Sequence, residues 1–274
     1  MKSIINQCFL IYKIMNIKQK SIKQKFIDSL EEGYKKYLTI HPRSSQKVLP
    51  MHKCISEILK DSLGGEYEIK SLGMGDNKEY NFSGRYYKKD VDIAVLKDGK
   101  PISALSFKFV TSNYKQNSNN YFENMIGETA NIKRNDLIYA QILILKQKMP
   151  YFSTDKNMYT KMEKINEENL KKYFKLNKDN APNLYHKPDI MFIAFINTGD
   201  EKRYEEAIKN KEIIKKSIFS KKELLPLVHV EMLDAKDLDG KLSEDMKTFL
   251  IKNGNFENFI EAFVNLTKGK TYGR

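Results

Sequence analysis

Four side chains in the middle of the sequence could together act on a phosphate ester: Asp90, Asp92, Ser106 and Lys108. Asp92 is followed by the apolar run IAVL, so it opens a strand whose remainder is buried, and this makes it a better candidate metal ligand than Asp90. Ser106 and Lys108 lie two positions apart, and side chains two apart on a strand project to the same face. A carboxylate and an ammonium at one sheet edge could hold a divalent cation such as Mg²⁺ and orient water for attack on phosphate.

These side chains are expected to meet because their segments form a hairpin. The runs DVDIAVL and ISALSFKFV flank the sequence KDGKP. The Asp98-Gly99 pair within it favours a two-residue turn between antiparallel strands. Such a hairpin places Asp92 near Ser106 and Lys108 at its open end.

The neighbouring segments predict the elements that surround this hairpin. MHKCISEILKDSLGG predicts an amphipathic helix, YEIKSLG a short strand, and the glycine-containing residues 74–87 a polar connection. After the hairpin, a polar loop over residues 111–120 leads to a helix over residues 121–135 and then to LIYAQILIL, an apolar run typical of a buried strand. The order is therefore helix, three strands, helix, strand. Further along, residues 156–179 and 243–267 predict helices, and PDIMFIAFI predicts another buried strand.

This order, together with Asp92 and Lys108, resembles the core of the PD-(D/E)XK nuclease superfamily over about residues 51–145. The resemblance implies an α/β fold with a central mixed sheet flanked by helices. It also implies that Asp92 is the first acidic residue of the motif and that Lys108 is its lysine. Val91 stands where the motif usually has proline. Ser106 stands where the second carboxylate should be, and a metal site with one carboxylate would be weak.

Some restriction endonucleases of this superfamily have an S-x-K strand and take the missing carboxylate from the following helix. Here that helix offers Glu123 and Glu128. Glu123 follows Lys108 at about the family's interval and is the favoured metal ligand, whereas Glu128 lies about a turn and a half further along and is the second choice. The resemblance then implies that Asp92 and Glu123 hold Mg²⁺, that Lys108 positions or activates the water, and that the Ser106 hydroxyl supports them.

Other interpretations of the same residues stay open. Lys108 could form a buried structural ion pair with Asp92 instead of a catalytic site, because an unpaired charge in an apolar strand is costly. Glu57 on the preceding helix could add a further ligand, although an exposed helix position is the simpler interpretation. Asp189 follows a proline before a strand, but no carboxylate-x-lysine strand comes after it. It is therefore interpreted as a strand-start residue.

The charge of the chain favours a polyanionic partner. The chain has 48 Lys and Arg against 35 Asp and Glu, a net charge of +13 and a pI near 9.3. Cations near phosphates gain by releasing condensed counterions, although a lysine-rich composition is the other explanation. We expect double-stranded DNA as the partner, since Asn and Gln can contact bases and lysines can contact phosphates. The expected DNA-binding residues are Asn113, Lys115, Gln116, Asn117, Asn119, Lys133 and Arg134.

The length suits one domain with additions. We predict a basic helical N-terminal extension over residues 1–48 and a nuclease domain over residues 49–274. The core of that domain spans about residues 51–145, and residues 146–274 add DNA-recognition and structural elements. Either Met1 or Met15 could be the native start.

The cysteines, histidines and hydropathy exclude several classes of protein. Two cysteines far apart, Cys8 and Cys54, indicate a reducing compartment and no disulfide framework. None of the four histidines forms an HxxxH or HExxH pairing, so a histidine-based metal site is not expected. No apolar run approaches the length of a transmembrane helix, which predicts a cytoplasmic protein.

The sequence as a whole predicts a type II restriction endonuclease that uses Mg²⁺ to hydrolyse double-stranded DNA at a specific site. The resemblance implies a homodimer, because two active sites must meet two antiparallel strands. It also implies a cognate methyltransferase as a partner in the same system but not in a complex. The alternatives are another nuclease on this core, acting in repair, junction resolution or RNA cleavage, and a catalytically inactive DNA-binding protein, which Ser106 would explain.

Overall fold

A computed structural model describes residues 20–40, 44–133, 137–153, 158–181, 184–215, 221–238 and 242–270. Its helices are α1 (Ile22–Thr39), α2 (Leu49–Leu63), α3 (Tyr114–Ile132), α4 (Glu167–Lys178), α5 (Glu201–Lys209), α6 (Glu244–Asn253) and α7 (Phe256–Gly269). Its strands are β1 (Tyr67–Ser71), β2 (Tyr80–Ser83), β3 (Lys88–Val91), β4 (Ile93–Lys97), β5 (Lys100–Val110), β6 (Ile138–Lys146), β7 (Lys148–Phe152), β8 (Tyr159–Lys164), β9 (Ile190–Asn197) and β10 (Glu231–Leu233). No helix in these ranges is long and apolar enough to cross a membrane.

Six strands form one mixed sheet in the order β1-β4-β5-β6-β9-β10. Strand β4 is antiparallel to both of its neighbours, β1 and β5. Strands β5, β6 and β9 are parallel to one another, and β10 forms the edge, antiparallel to β9. The apolar residues of α1, α2 and α7 pack on one face of this sheet, and those of α3, α4 and α6 pack on the other. The predicted α/β fold with a central mixed sheet flanked by helices is confirmed.

The predicted hairpin is formed by β4 and β5. Asp98 and Gly99 both have positive φ, 51° and 71°, which is the backbone that a two-residue turn between twisted strands requires. Ile93 pairs with Leu105, so the residue before Ile93 lies beside the residue after Leu105. The turn pairs Lys97 with Lys100, and a shift of one residue between Val95 and Leu96 then brings Asp92 beside Ser106 instead of Leu105.

Helix α1 belongs to the same core as the sheet. Phe26, Leu30 and Tyr34 are fully buried, and Phe26 stacks on Phe256 of α7 with ring centroids 4.1 Å apart. Burying side chains of this size stabilises the fold by about 2 kcal/mol each. Within residues 20–40, the predicted N-terminal extension thus packs as closely as the elements of the predicted nuclease domain.

Helix α3 begins earlier than the sequence predicts. The prediction of a polar loop over residues 111–120 is wrong, because the helix starts at Tyr114. Tyr114 and Ser118 are buried at helical spacing, while Gln116 and Asn117 lie on the exposed side. The polar residues are therefore the solvent face of a helix, and this face conceals the apolar spacing in the sequence.

Two further segments differ from the prediction. The helix predicted over residues 156–179 is wrong in its first half, because β8 pairs there with β7 and α4 begins only at Glu167. The connection predicted over residues 74–87 contains β2, which pairs with β3 in a separate hairpin. Both pairs are short two-stranded units that stand outside the main sheet. Their side chains lack the long apolar runs that mark buried strands.

Candidate active site

Asp92 lies at the entrance of β4, at the end of the hairpin opposite the turn. Its Oδ2 accepts a hydrogen bond from the backbone N–H of Phe107 at 2.6 Å, and its own carbonyl accepts one from Ser71 Oγ at 2.8 Å. The side chain is 23 % exposed. Asp92 is thus anchored through one carboxylate oxygen, while the other stays open to a ligand.

Glu128 projects from α3 onto the same face of β5 as Ser106 and Lys108. Its Oε1 accepts hydrogen bonds from Ser106 Oγ and from Tyr139 Oη, the latter at 3.0 Å. Its Oε2 lies 3.3 Å from Lys108 Nζ. The Glu128 side chain is only 8 % exposed. Glu128, the second choice from the sequence, is therefore the glutamate that contacts both Ser106 and Lys108.

The charges of this group stabilise one another. Burial alone would raise the pKa of Glu128, but the Lys108 ammonium and the hydrogen bond from Ser106 outweigh it, so this pKa lies below its usual range. Burial likewise would lower the pKa of Lys108, but Glu128 and Asp92 outweigh it and hold this pKa above its usual range. Near neutral pH, the site therefore contains an ionised glutamate and a protonated lysine that also faces the charge of Asp92.

Strand β6 supports the buried end of this cluster. Tyr139 Oη lies 2.8 Å from Ser106 Oγ and accepts a hydrogen bond from Gln141 Nε2 at 3.0 Å. Ala104 and Ser106 on β5 pair with Tyr139 and Gln141 in the parallel register. Burial and the nearby Glu128 charge raise the pKa of Tyr139 well above its usual range, so its hydroxyl stays protonated. In the apolar run LIYAQILIL, Tyr139 is thus explained by its contacts with Ser106 and Glu128, and Gln141 by its hydrogen bond to Tyr139.

The other candidate carboxylates lie apart from this cluster. Asp90 is exposed on β3 and accepts a hydrogen bond from Asn81 Nδ2 at 2.6 Å. Glu57 is exposed on α2, 3.9 Å from Lys53. Asp189 accepts a hydrogen bond from the backbone N–H of Tyr139 at 2.8 Å and pairs with Lys133. These contacts fit the interpretation of Asp189 as a strand-start residue.

Glu123 lies on the exposed side of α3, one and a half turns before Glu128. It borders a depression of about 420 Å³ that also reaches Lys89, Lys108 and Glu128. Burial lowers the pKa of Lys172 on α4, and the charge of Glu123 opposes that effect. Glu123, which the sequence favoured, therefore lies at the exposed rim of this depression, whereas the buried Glu128 lines it beside Lys108.

Three of the predicted DNA-binding residues hold the fold together. The Asn113 side chain exchanges hydrogen bonds of 2.9 and 3.1 Å with the backbone of Phe152. Asn117 Nδ2 donates to the carbonyl of Asn113 at 3.0 Å. Lys133 Nζ lies 2.8 Å from Asp189 Oδ1. In this conformation, the side chains of Asn113 and Lys133 and the amide nitrogen of Asn117 are bonded within the protein.

Three of the remaining predicted DNA-binding residues lie on helix α3, where Gln116 Nε2 donates a hydrogen bond to Tyr151 Oη. Gln116 and Asn119 are exposed on α3, and Lys115 is half-buried beside them. Asn119 Oδ1 accepts a hydrogen bond from Lys172 Nζ at 2.9 Å. Arg134 lies outside the described residues.

His52 and Glu79 also lie at Asp92, although the sequence did not indicate them. His52 is fully buried on α2, with Nε2 3.7 Å from Asp92 Oδ1. Burial lowers the pKa of His52 despite the nearby Asp92 charge. Burial and the negative charges of Asp92 and Asp90 raise the pKa of Glu79. A lone histidine on a helix and a glutamate in a polar connection carry no spacing that could have identified them.

An exposed loop joins β2 and β3 close to the site. Tyr86 and Tyr87 are 76 % and 57 % exposed, and Tyr87 borders the same depression as Lys108. Asn131 at the end of α3 fixes the loop, since its side chain accepts hydrogen bonds from both tyrosine N–H groups and donates one to the carbonyl of Tyr87. The guanidinium of Arg85 lies 4.1 Å from the ring centroid of Tyr185. The loop thus presents aromatic and basic groups in a fixed position.

The donors around Lys108 fit a hard divalent cation. Asp92 has a carboxylate oxygen that takes no backbone hydrogen bond, and Glu128 Oε2 lies 3.3 Å from Lys108 Nζ and 3.9 Å from Lys89 Nζ. Carboxylate oxygens are the ligands that Mg²⁺ prefers, and it commonly binds through one or two of them with water filling the remaining positions. Asp92 and Glu128 are therefore the two carboxylates near the protonated Lys108 that could hold such an ion.

Comparisons of the chain with family models, with curated proteins and with solved structures found no match.

Proposed function

We propose that the protein is a Mg²⁺-dependent endonuclease that hydrolyses double-stranded DNA at a specific sequence, as type II restriction enzymes do. The observation that carries this proposal is Lys108, a cation in a buried strand that faces two carboxylates on different elements, Asp92 and Glu128. Glu128 Oε2 also lies 3.9 Å from Lys89 Nζ, so two lysines and two acids face one another here. Two acids and an open depression beside Lys108 fit a site that receives a cation and a phosphate.

The order of elements supports the resemblance to PD-(D/E)XK nucleases. Helix α2, strands β1, β4 and β5, helix α3 and strand β6 follow one another in the order expected for that core, with the β2–β3 hairpin inserted. Asp92 directly precedes β4 and Lys108 lies on the antiparallel neighbour β5, which fits the roles of first acid and lysine that the resemblance implies. The region after β6 leaves room for elements that read DNA sequence.

Asp92 and Glu128, rather than Glu123, would hold the ion, since Glu128 is the glutamate that contacts Lys108 and Ser106. When bound, Mg²⁺ polarises a phosphoryl oxygen and lowers the pKa of a water molecule. Lys108 holds the attacking water or the developing negative charge in place. Ser106 fixes the Glu128 carboxylate through its hydroxyl. Because both DNA strands must be cut, we propose a homodimer as the active species.

Cleavage of unmethylated phage DNA should require the divalent ion. We expect discrete fragments when the purified protein is incubated with DNA and Mg²⁺, and none when EDTA replaces Mg²⁺. The activity must elute with the 32.1 kDa chain in the last chromatographic step, which excludes a contaminating nuclease. A smear of fragments would contradict sequence specificity. DNA binding without any cleavage would support the inactive DNA-binding protein, since Ser106 replaces a carboxylate of the usual motif.

The β2–β3 hairpin is a candidate contact to the DNA backbone. Lys88 is exposed on β3, next to the aromatic loop and on the strand that leads to Asp92. If it contacts a phosphate, Lys88→Ala should weaken binding of all DNA sequences and reduce the slope of log affinity against log salt by about 1. The slope is measured by fluorescence anisotropy between low and physiological salt.

A matched control comes from the opposite face of the sheet. Lys35 on α1 is 45 % exposed and pairs with Glu31 one turn away. The Lys35→Ala variant should keep the salt slope of the parent protein. Equal salt slopes for Lys88→Ala and the parent protein would show that Lys88 of this hairpin does not contact the DNA backbone.

A further inference from the structure

Three elements bring a histidine and two carboxylates to one place. His52 comes from α2, Glu79 from the segment before β2, and Asp92 from the entrance of β4. One ligand atom from each residue lies within 4.8 Å of the other two. No other group of three or more such side chains with this spacing occurs in the described ranges.

The imidazole of His52 points to this place without a hydrogen bond that would explain its orientation. The side chain is fully buried, and neither ring nitrogen has a hydrogen-bond partner among the described residues. Its Nε2 is 3.7 Å from Asp92 Oδ1, which is too far for a hydrogen bond. The ring packs edge-on against Phe107, with centroids 5.8 Å apart. Buried polar groups are nearly always paired, so a buried unpaired imidazole aimed at a carboxylate requires an explanation.

The two oxygens of Asp92 have different surroundings. Oδ2 is held by the backbone N–H of Phe107 at 2.6 Å, and Oδ1 faces His52. A hydrogen bond that orients a carboxylate while leaving its other oxygen available is a common arrangement around metal ligands. Metal–ligand bonds of about 2.1 Å place neighbouring ligand atoms roughly 3 to 4 Å apart. The observed 3.7 Å lies in that interval.

We propose that His52 Nε2, Asp92 Oδ1 and the Glu79 carboxylate form a divalent-cation site that prefers Mn²⁺ to Mg²⁺. The site deepens the proposed function, because it adds a nitrogen ligand and a third carboxylate to the ion at Asp92. Imidazole is a ligand of first-row transition ions, whereas Mg²⁺ is bound almost entirely by oxygen. A plain ion pair of His52 with Asp92 would leave Glu79 without a role at this place.

Binding of Mn²⁺ is expected to show a nitrogen ligand directly. Titration of the metal-free protein with Mn²⁺, followed by the electron paramagnetic resonance of the free ion, should show one tight site per chain. Pulsed measurements on the bound ion should show ¹⁴N coupling from an imidazole. Mg²⁺ should displace the Mn²⁺ only in large excess.

Two variants and a control test the assignment of the ligands. Glu79→Gln removes a half-buried charge that the fold does not need, and it should weaken Mn²⁺ binding at least about tenfold. His52→Gln keeps a polar side chain of similar reach and should lose the ¹⁴N coupling. Asp61→Asn, on the exposed face of the same helix α2, should bind Mn²⁺ like the parent protein.

The outcomes separate this site from the proposed nuclease function. Bound Mn²⁺ without ¹⁴N coupling, unchanged binding in Glu79→Gln, or no tight Mn²⁺ site would each overturn the inference, even if DNA is cleaved with Mg²⁺. Nitrogen-coordinated Mn²⁺ in a protein that cleaves no DNA with either ion would overturn the nuclease function and leave the metal site standing.

Discussion

Replacing Glu128 by glutamine should lower the rate of DNA cleavage by about 10²–10³-fold, a cost typical of removing one group that stabilises charge in a transition state. The same change at Glu123 should leave the rate within a few-fold of the parent protein. Glu128 is buried and contacts Ser106 and Lys108, whereas Glu123 is exposed at the rim of the depression. The two positions share helix α3, so they form a matched pair.

The Glu128→Gln variant should still fold and bind DNA. Glutamine keeps an oxygen that can accept the hydrogen bonds of Ser106 and Tyr139, and it occupies nearly the same volume. Loss of the carboxylate removes the charge that raises the pKa of Lys108, so this pKa should fall towards the value that burial favours. The cleavage rate of the variant should consequently decrease at alkaline pH, in a range where the parent protein keeps its rate.

Single-turnover cleavage with saturating Mg²⁺, together with thermal unfolding and DNA affinity measured without Mg²⁺, tests this prediction. Loss of cleavage in Glu123→Gln with normal cleavage in Glu128→Gln would identify Glu123 as the second carboxylate ligand. Equal loss in both variants would place both glutamates at the ion. A large drop in unfolding temperature for Glu128→Gln alone would instead indicate that Glu128 is structural.

The hairpin that carries the site could be predicted from sequence because its signals are local. Asp98-Gly99 fixes the turn, and the alternation of side chains along β5 places Ser106 and Lys108 on one face. These features need no information from distant parts of the chain. The apolar runs predicted the buried strands β6 and β9 for the same reason, whereas the mixed sheet was implied by the resemblance. A one-residue shift between Val95 and Leu96, which the sequence did not indicate, brings Asp92 beside Ser106.

The choice between Glu123 and Glu128 could not be made in this way. It depends on which side of α3 packs against β5 and β6, and that side is set by buried Tyr114 and Met125 and by contacts with Tyr139. The helix starts seven residues earlier than the polar sequence suggests, so its apolar side was hidden. The polar residues in the buried strand β6, Tyr139 and Gln141, were the available signal that a charged group lies opposite.

His52 and Glu79 were beyond sequence reasoning altogether. They lie 40 and 13 positions before Asp92, on a helix and in an irregular segment, and only the packing of α2 against the sheet brings His52 to Phe107 and Asp92. The expectation that a histidine ligand needs a second histidine at helical spacing applies to sites built on one helix. A site assembled from three elements has no such spacing.

Replacing Lys146 by methionine should destabilise the protein by about 3–5 kcal/mol, the usual cost of leaving a buried charge without its partner. Lys146 ends β6 and is fully buried, with Nζ 2.9 Å from Asp200 Oδ1 and 3.5 Å from Glu201 Oε1. Tyr34 Oη donates to Asp200 at 2.6 Å, so the ion pair also joins α1 to the sheet. Methionine fills similar space, and the lost charge accounts for the effect.

Urea unfolding at neutral pH measures this cost, with Lys35→Ala as a control. Lys35 forms an exposed pair with Glu31, so its loss should cost less than about 1 kcal/mol. The double variant Lys146→Met/Asp200→Asn should recover part of the stability, because it removes one of the two charges that methionine leaves unpaired. A cost below about 1 kcal/mol for Lys146→Met would show that Asp200 and Glu201 do not depend on Lys146.

The pH dependence of unfolding gives the same pair a second signature. Burial alone would raise the pKa of Asp200, but Lys146 and the hydroxyls of Thr198 and Tyr34 outweigh it and hold this pKa below its usual range. A depressed carboxyl pKa contributes stability that is present above the unfolded value, about pH 4, and is lost as the pH falls through the folded value. The parent protein should therefore lose stability steeply below about pH 4, and Asp200→Asn should show a shallower loss there. If both proteins lost stability equally below about pH 4, Asp200 would not be a group that takes up a proton during acid unfolding.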